Sequence, residues 1–286
     1  MLNIDLHCHS HVSDGVLPPA DVVARAASHG VDVFALTDHD DVAGLTEAQA
    51  AADSRGLVFI PGVEISVTWQ GRTVHIVGLR INPLHPQLAA GLHDIRAGRT
   101  LRAQRMGDDL ARHGITGAYE GARGHAVNKQ IIGRVHFARW LMEQGHVRDM
   151  RSAFKHFLTP GKPGYVEHEW TTLENAVSWI RTSGGMAVLA HPGRYDLHAR
   201  ELHLLLDAFR SMGGEGIEVV TGSHHPSEYG KFADLARTFG FKASRGADFH
   251  APGEGIELGR LPALPHYCKP VWQDWPETEH LQAHPH

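Results

Sequence analysis

The stretch Asp5-Leu6-His7-Cys8-His9-Ser10-His11-Val12-Ser13-Asp14-Gly15 decides how the rest of the chain is read. An apolar-led run over residues 2–6 ends in two histidines one residue apart, with an aspartate shortly after. On a β-strand, residues i and i+2 share a face. His7 and His9 can therefore hold one metal ion together, while Cys8 points away and reads as a small packed residue. Imidazole and carboxylate are ordinary ligands for zinc, manganese and iron. Strand ends are where α/β barrels place their chemistry.

The pattern recurs. Val33-Phe34-Ala35-Leu36 leads into Thr37-Asp38-His39-Asp40, and Leu57-Val58-Phe59-Ile60 into Gly62-Val63-Glu64-Ile65-Ser66. His75 sits within the apolar run 72–78, and 186–190 leads into His191-Pro192-Gly193-Arg194. Residues 217–220 read only as a further short apolar run, and 242–245 lead into a second i, i+2 pair, Asp248 and His250. Seven candidate strands result, and six of them carry a ligand-type residue.

Helical segments alternate with these strands. Residues 19–29 and 45–55 each end just before a glycine, and 19–29 opens on prolines. Residues 172–182, 200–212 and 227–238 carry apolar residues at helical spacing. Repeated strand–helix units imply a mostly parallel sheet, and seven of them favour a closed barrel over an open sheet. The expected fold is an α/β barrel formed by residues 1–97 and 165–286.

Residues 98–164 break the alternation and read as a helical insertion, clearest at 99–113 and 135–144. Nine Arg and three Lys stand there against five Asp and Glu, a formal +7. The whole chain carries −5, which leaves −12 for the remainder. A basic insertion on an acidic scaffold suggests an anionic partner, and its place between the strands of His75 and His191 sets it over the candidate site.

At 286 residues the chain can bury a large core. Two cysteines, Cys8 and Cys268, argue against a disulfide framework and for a reducing compartment. No basic segment followed by an apolar one opens the chain, so no signal peptide is expected, and no apolar run approaches a membrane span. The expectation is a soluble cytoplasmic protein with no membrane association and no obligate protein partner. Of the 24 histidines, His85, His93, His113, His198, His203, His280, His284 and His286 read as surface or packing residues. The polar tail 276–286 is expected to be frayed.

The candidate metal ligands are His7, His9, Asp14, His39, Glu64, His75, His191, Asp248 and His250. Nine donors are too many for one ion and suit two or three with shared carboxylates. Clustered metals suit phosphate-ester hydrolysis: one ion lowers the pKa of a water and another neutralises phosphoryl charge.

These motifs, DLHCHSHVSDG at 5–15, TDHDD at 37–41, GVEIS at 62–66, His75, AHPGR at 190–194 and GADFH at 246–250, together resemble the PHP (polymerase and histidinol phosphatase) family of metal-dependent phosphoesterases, a branch of the amidohydrolase-like barrels. The resemblance implies a distorted (β/α)7 barrel and three divalent ions, manganese before iron or zinc. One would be held by His7, His9, Glu64 and Asp248, a second by Glu64, His75 and His191, and a third by Asp14, His39 and His250. Within the family the chain resembles the short members that act as 3′,5′-nucleoside bisphosphate phosphatases or as 5′→3′ exoribonucleases on short RNA. The implied reaction is hydrolysis of the 3′-phosphate of a nucleoside bisphosphate by a metal-bridging hydroxide. Glu64, Asp248 and Arg194 would carry catalysis, with Arg194 on the scissile phosphate.

Arg134, His136, Lys129 and Lys162 are candidates for the second phosphate, and Ser223, His224, His225 and Tyr229 for the nucleoside. The competing readings are an exonuclease acting on 5′-phosphorylated RNA, a histidinol phosphate phosphatase, and a non-catalytic nucleic-acid-binding module with structural metals.

Overall fold

The computed structural model describes residues 2–283. In chain order its elements are β1 (Ile4–Asp5), α1 (Pro19–Ser28), β2 (Val33–Leu36), α2 (Leu45–Asp53), β3 (Val58–Trp69), β4 (Arg72–Leu79), α3 (Pro86–Arg112), α4 (Ala118–His125), α5 (Arg134–Glu143) and α6 (Met150–Ala153). After a π-helical turn at Phe154–Leu158 come β5 (Thr171–Thr172), α7 (Leu173–Thr182), β6 (Met186–Leu189), α8 (Ala199–Ser211), β7 (Gly216–Thr221), α9 (Tyr229–Phe239), β8 (Lys242–Gly246) and α10 (Pro276–Ala283).

The sheet runs β1-β2-β3-β4-β6-β7-β8, with the two-residue β5 pairing alongside β3. Backbone bonds from Leu6 N to Arg245 O and from Asp248 N to His7 O join the β8 side to the β1 side and nearly close a barrel. Seven strands fall where the sequence placed them, but the sheet is not uniformly parallel. β4 pairs antiparallel with both β3 and β6. The turn at Gln70-Gly71, both at positive φ, folds β3 back on itself without a crossover helix, and this distorts the barrel. At the closure, a side chain in place of Gly246 would collide with the Cβ and backbone of His7.

Strand alternation sorts the apolar side chains into two layers. Leu6, Val33, Ala35, Ile60, Val77, Leu79, Val188 and Ala190 form a cluster completed by Val271 and Trp275. Phe34, Leu36, Val63, Ile65, Ile76, Leu189 and Ile217 face the other way, in a core shared with α1, α2, α7, α8 and α9. Helix caps follow the local sequence: Thr172 Oγ1 accepts from Asn175 N at 3.1 Å and so starts α7.

The boundary expected at residue 98 falls inside α3, which runs unbroken for 27 residues. Its first half packs Leu88, Leu92 and Ile95 on the barrel core. Its second half gives Ala103, Met106 and Leu110 to a separate apolar cluster with Ala122, Phe137, Leu141 and Leu158. The tail departs from the frayed expectation. Pro276–Ala283 is helical, Trp275 is buried, and Leu281 packs against the same cluster. The aromatic and aliphatic residues spaced through 272–281 outweigh the polarity of the rest; His284 and His286 lie outside the described residues. Among the described residues no helix is long and apolar enough to cross a membrane.

Candidate metal centre

All nine candidate ligands converge at one end of the barrel. Glu64, fully buried on β3, is the hub. Its Oε2 lies 3.4 Å from His7 Nε2, 3.3 Å from His9 Nε2 and 2.9 Å from His39 Nδ1. Its Oε1 lies 3.0 Å from His75 Nδ1 and 2.9 Å from His191 Nε2. Burial raises the Glu64 pKa, but His39, His75 and His7 outweigh it and hold the carboxyl well below its ordinary range.

Asp248 Oδ1 adds a donor 3.5 Å from His7 Nε2 and 3.2 Å from His9 Nε2, and the two imidazole nitrogens are 3.2 Å apart. A tetrahedral ion with bonds of about 2.0–2.2 Å separates its ligands by about 3.3–3.6 Å. The spacings among His7, His9 and Asp248 therefore suit a single cation, while Glu64 groups with His7 and His191 and with His39 and His75. On the far side of His9, Asp14 Oδ1 lies 3.3 Å from His250 Nε2, and Asp14 Oδ2 lies 3.9 Å from His39 Nε2. His9 belongs to this group as well, its Nδ1 being 3.9 Å from Asp14 Oδ1. His39 stands between groups, with one ring nitrogen toward Glu64 and the other toward Asp14.

Buried polar atoms rarely go without hydrogen bonds, yet Asp14 Oδ1, His39 Nδ1, Glu64 Oε2 and His75 Nδ1 have none. Their lone pairs face one another across the cluster, and such a donor set fits divalent cations. Burial alone would lower the His250 pKa, but Asp14 and Asp248 push it up to about 9. Burial instead wins at His75, pulled down to about 4. The backbone around the cluster is held in unusual conformations, with positive φ at Asp40, His191 and Asp248.

Not every acid in the motifs faces the cluster. Asp38 accepts from Ser10 N, Ser10 Oγ and Ser13 Oγ, fixing the 5–15 loop. Asp40 accepts from Ser66 N at 2.7 Å and from Arg99, and Asp41 accepts from Asn128 at 2.6 Å. Arg139 donates to the carbonyl of Asp14 at 2.8 Å. The helices after β4 are thus tied directly to the loops that carry the donors.

Two adjoining clefts lie over the cluster. The first is lined by Asp14, His39, His75 and His250 and by Arg99, Arg102, Arg134, Phe154, Tyr165, Trp170 and Arg194. Arg99 and Arg102 are buried and stack on Trp170, their guanidinium carbons 4.7 and 5.5 Å from the ring centroid. Arg134 stands over Phe154 at 5.6 Å. Burial, with Arg134 and Arg99 alongside, pushes Arg102 down to about 9. The second cleft is lined by Val135, Met150, Phe154, Ser223, Asp248 and Glu254 and shares Arg194 with the first. Arg194 lies 3.3 Å from Asp248 Oδ2, and Ser223 Oγ donates to the same oxygen.

The remaining substrate candidates lie elsewhere. Lys129 Nζ donates to the carbonyls of Arg123 and Ala126 at the end of α4, and Lys162 is exposed. His136 is buried, its Nδ1 accepting from Gly133 N at 3.0 Å to cap α5. His224 accepts from Gly193 N and stacks on Phe232. Tyr229 donates to the carbonyl of Thr221, and His225 caps the turn at Ser227. Sequence reasoning passed over Arg99, Arg102, Tyr165 and Trp170. It also passed over Glu218, where a lone carboxylate within the apolar run 217–220 was the available signal.

The fold and donor cluster are those of a PHP phosphoesterase: the chain belongs to the PHP domain family, which matches residues 5–221. It is 52% identical over 275 residues, 96% of each chain, to the 3′,5′-nucleoside bisphosphate phosphatase of Chromobacterium violaceum. It is 42% identical to the 5′-3′ exoribonuclease Rnm of Escherichia coli, over 96% of this chain and 94% of that one. Among solved structures, an amidohydrolase from Chromobacterium violaceum with bound sulfate superposes with TM-score 0.92 at 51% identity, over 98% of this chain and 96% of that one. A proposed metal-dependent phosphoesterase of Bifidobacterium adolescentis superposes with TM-score 0.79 at 26% identity, covering 89% and 92%.

Proposed function

We propose that the protein removes the 3′-phosphate of 3′,5′-nucleoside bisphosphates, giving the 5′-monophosphate and phosphate. One observation carries this reading. A floor that carries Asp14, His39, His75 and His250 of the metal-type donors and a wall of three guanidiniums, Arg99, Arg102 and Arg134, bound the same cleft. A substrate with two phosphates satisfies both ends at once. Among the described residues neither Arg102 nor Arg134 pairs with a carboxylate. Arg102 is buried, and a buried cation without a counter-ion is costly, so this wall calls for an anion.

The 5′-phosphate would lie on Arg102 and Arg134, whose planar forks suit phosphate. The 3′-phosphate would lie on the floor beside Arg194, which would hold developing charge on its oxygens. Three divalent ions, manganese by family resemblance, would be held by His7, His9, Glu64 and Asp248, by Glu64, His75 and His191, and by Asp14, His39 and His250. When bound they supply an acidified water and charge neutralisation at phosphorus. Water adds to phosphorus as the P–O3′ bond breaks, and the ribose O3′ leaves with a proton. Residues 98–164 act as the insertion that forms the cationic wall. The experiment is phosphate release from adenosine 3′,5′-bisphosphate against 3′-AMP and 5′-AMP: preference for the bisphosphate, yielding 5′-AMP, supports the reading.

The second cleft favours an additional activity. It continues past Asp248 and Arg194 on the side away from Arg99 and Arg102 and is lined by Val135, Met150 and Phe154. A nucleoside esterified to the scissile phosphate would fit there, which supports release of mononucleotides from 5′-phosphorylated short RNA.

A further inference from the structure

Glu218 lies in the middle of β7, within a strand whose six residues are all buried. Both of its carboxylate oxygens are engaged. Oε1 accepts from His7 Nδ1 at 2.8 Å, and Oε2 accepts from the backbone N–H of His191 at 2.7 Å. His7 groups with His9 and Asp248 on one side and, together with His191, with Glu64 on the other, so Glu218 stands behind two donors of the centre.

We infer that Glu218 is a positioning residue that sets the orientation of two metal ligands at once. Holding a proton on His7 Nδ1 leaves the lone pair on Nε2, the nitrogen that lies 3.2–3.5 Å from His9 Nε2, Glu64 Oε2 and Asp248 Oδ1. A carboxylate behind a ligand histidine fixes its tautomer and ring plane in this way. The other oxygen binds His191 at a residue whose φ is +26°, a backbone conformation that a branched-free but bulky side chain does not favour unaided. That bond carries His191 Nε2 to Glu64 Oε1 at 2.9 Å.

The chemistry of the pair gives a discriminating variant. In Glu218→Gln the side chain keeps its shape but has one acceptor and one donor. The backbone N–H of His191 cannot become an acceptor, whereas the imidazole of His7 can change tautomer. The amide oxygen therefore stays on His191, and the amide N–H faces His7 Nδ1. His7 is then driven to the Nε2–H form, which has no lone pair for the cluster.

The inference rests on the reading of the cluster as a metal centre, and the test separates the two. Metal content and competition with a chelator are measured on purified full-length wild type and E218Q, together with melting of both proteins after metal removal. The expected result is a metal affinity about 10- to 100-fold lower at one position in E218Q, with the stripped proteins melting alike. Equal affinity in the two proteins overturns the role of Glu218 alone. Absence of bound metal in wild type overturns the metal-centre reading beneath it. Lower affinity only in parallel with a lower melting temperature of the stripped protein assigns Glu218 a purely structural role and also overturns the inference. A second measurement does not depend on the variant folding: in zinc-loaded wild type, nitrogen-15 NMR is expected to show a proton on His7 Nδ1, and its absence contradicts the inference.

Discussion

Arg99 Nε donates to Asp40 Oδ2 at 2.8 Å, and neither side chain is open to solvent. The bond joins the TDHDD loop beside His39 to the middle of α3, where that helix passes from the barrel core to the second apolar cluster. The same guanidinium reaches Ser66 Oγ at 2.8 Å and stacks on Trp170. One arginine thus fixes a loop of the metal floor and forms part of the cationic wall above it.

Removing one partner of a buried pair leaves the other charge uncompensated, at a cost of about 3–5 kcal/mol. Arg99→Ala is therefore expected to lower stability by about that amount in denaturant unfolding. Arg99→Met with Asp40→Asn should recover much of the loss. A loss near zero for the single variant would show the pair to be solvent-relaxed.

Arg102 and Arg134 are expected to act on binding more than on turnover. Each charge-assisted hydrogen bond to phosphate contributes about 1.5–3 kcal/mol. Arg102→Ala and Arg134→Ala should each raise KM for the bisphosphate about 10- to 100-fold, while hydrolysis of a 3′-monophosphate changes little. Steady-state kinetics on both substrates checks this, and equal losses on the two would place these arginines elsewhere in the reaction.

Glu64 and Asp248 are expected to be indispensable to metal retention. Glu64→Ala and Asp248→Ala should lower bound metal, measured by elemental analysis, and reduce kcat by about 10²-fold or more. Treatment with a chelator should abolish activity, and added manganese should restore it. Full activity in Asp248→Ala without loss of metal would refute the ligand scheme.

His136 gives a prediction of stability against pH. Burial pulls its pKa down to about 4, below the value of about 6.5 for an unfolded chain. A depressed pKa means that the stabilisation is complete above pH 6.5 and is lost as pH falls toward 4. Between pH 7 and 5 this amounts to about 2 kcal/mol. Glutamine at the same position can still cap α5 through Gly133 N but does not titrate. His136→Gln should therefore lose about 2 kcal/mol less than wild type over that range, as read from denaturant unfolding at the two pH values.

Much of the architecture was legible because its signals are local. His7 and His9 share a face by strand alternation, and α7 shows in the helical spacing of apolar residues over 172–182. The motifs around Glu64 and His191 each follow an apolar run, which is why those strand ends could be found. The reversal of β4 was not legible, since an antiparallel hairpin strand has the same composition as a parallel one. Nor was α3, whose apolar stripe changes partners halfway along. The substrate side was read least well. Lys129 and Lys162 carry the right charge, but the first spends it on α4 carbonyls and the second faces solvent. Arg99 and Arg102 reach the cleft because Trp170, some seventy residues away in sequence, supports them. Glu218 sits in a run that reads only as apolar, and its two partners, His7 and His191, come from distant parts of the chain.

The central claim is that one cleft reads two phosphates, one on the donor floor and one on the arginine wall. The most direct test is phosphate release by the manganese-loaded protein from adenosine 3′,5′-bisphosphate, with 3′-AMP, 5′-AMP and histidinol phosphate alongside. The account predicts strong preference for the bisphosphate, with 5′-AMP as product. Equal rates on 3′-AMP and the bisphosphate, or release of the 5′-phosphate to leave 3′-AMP, would contradict it.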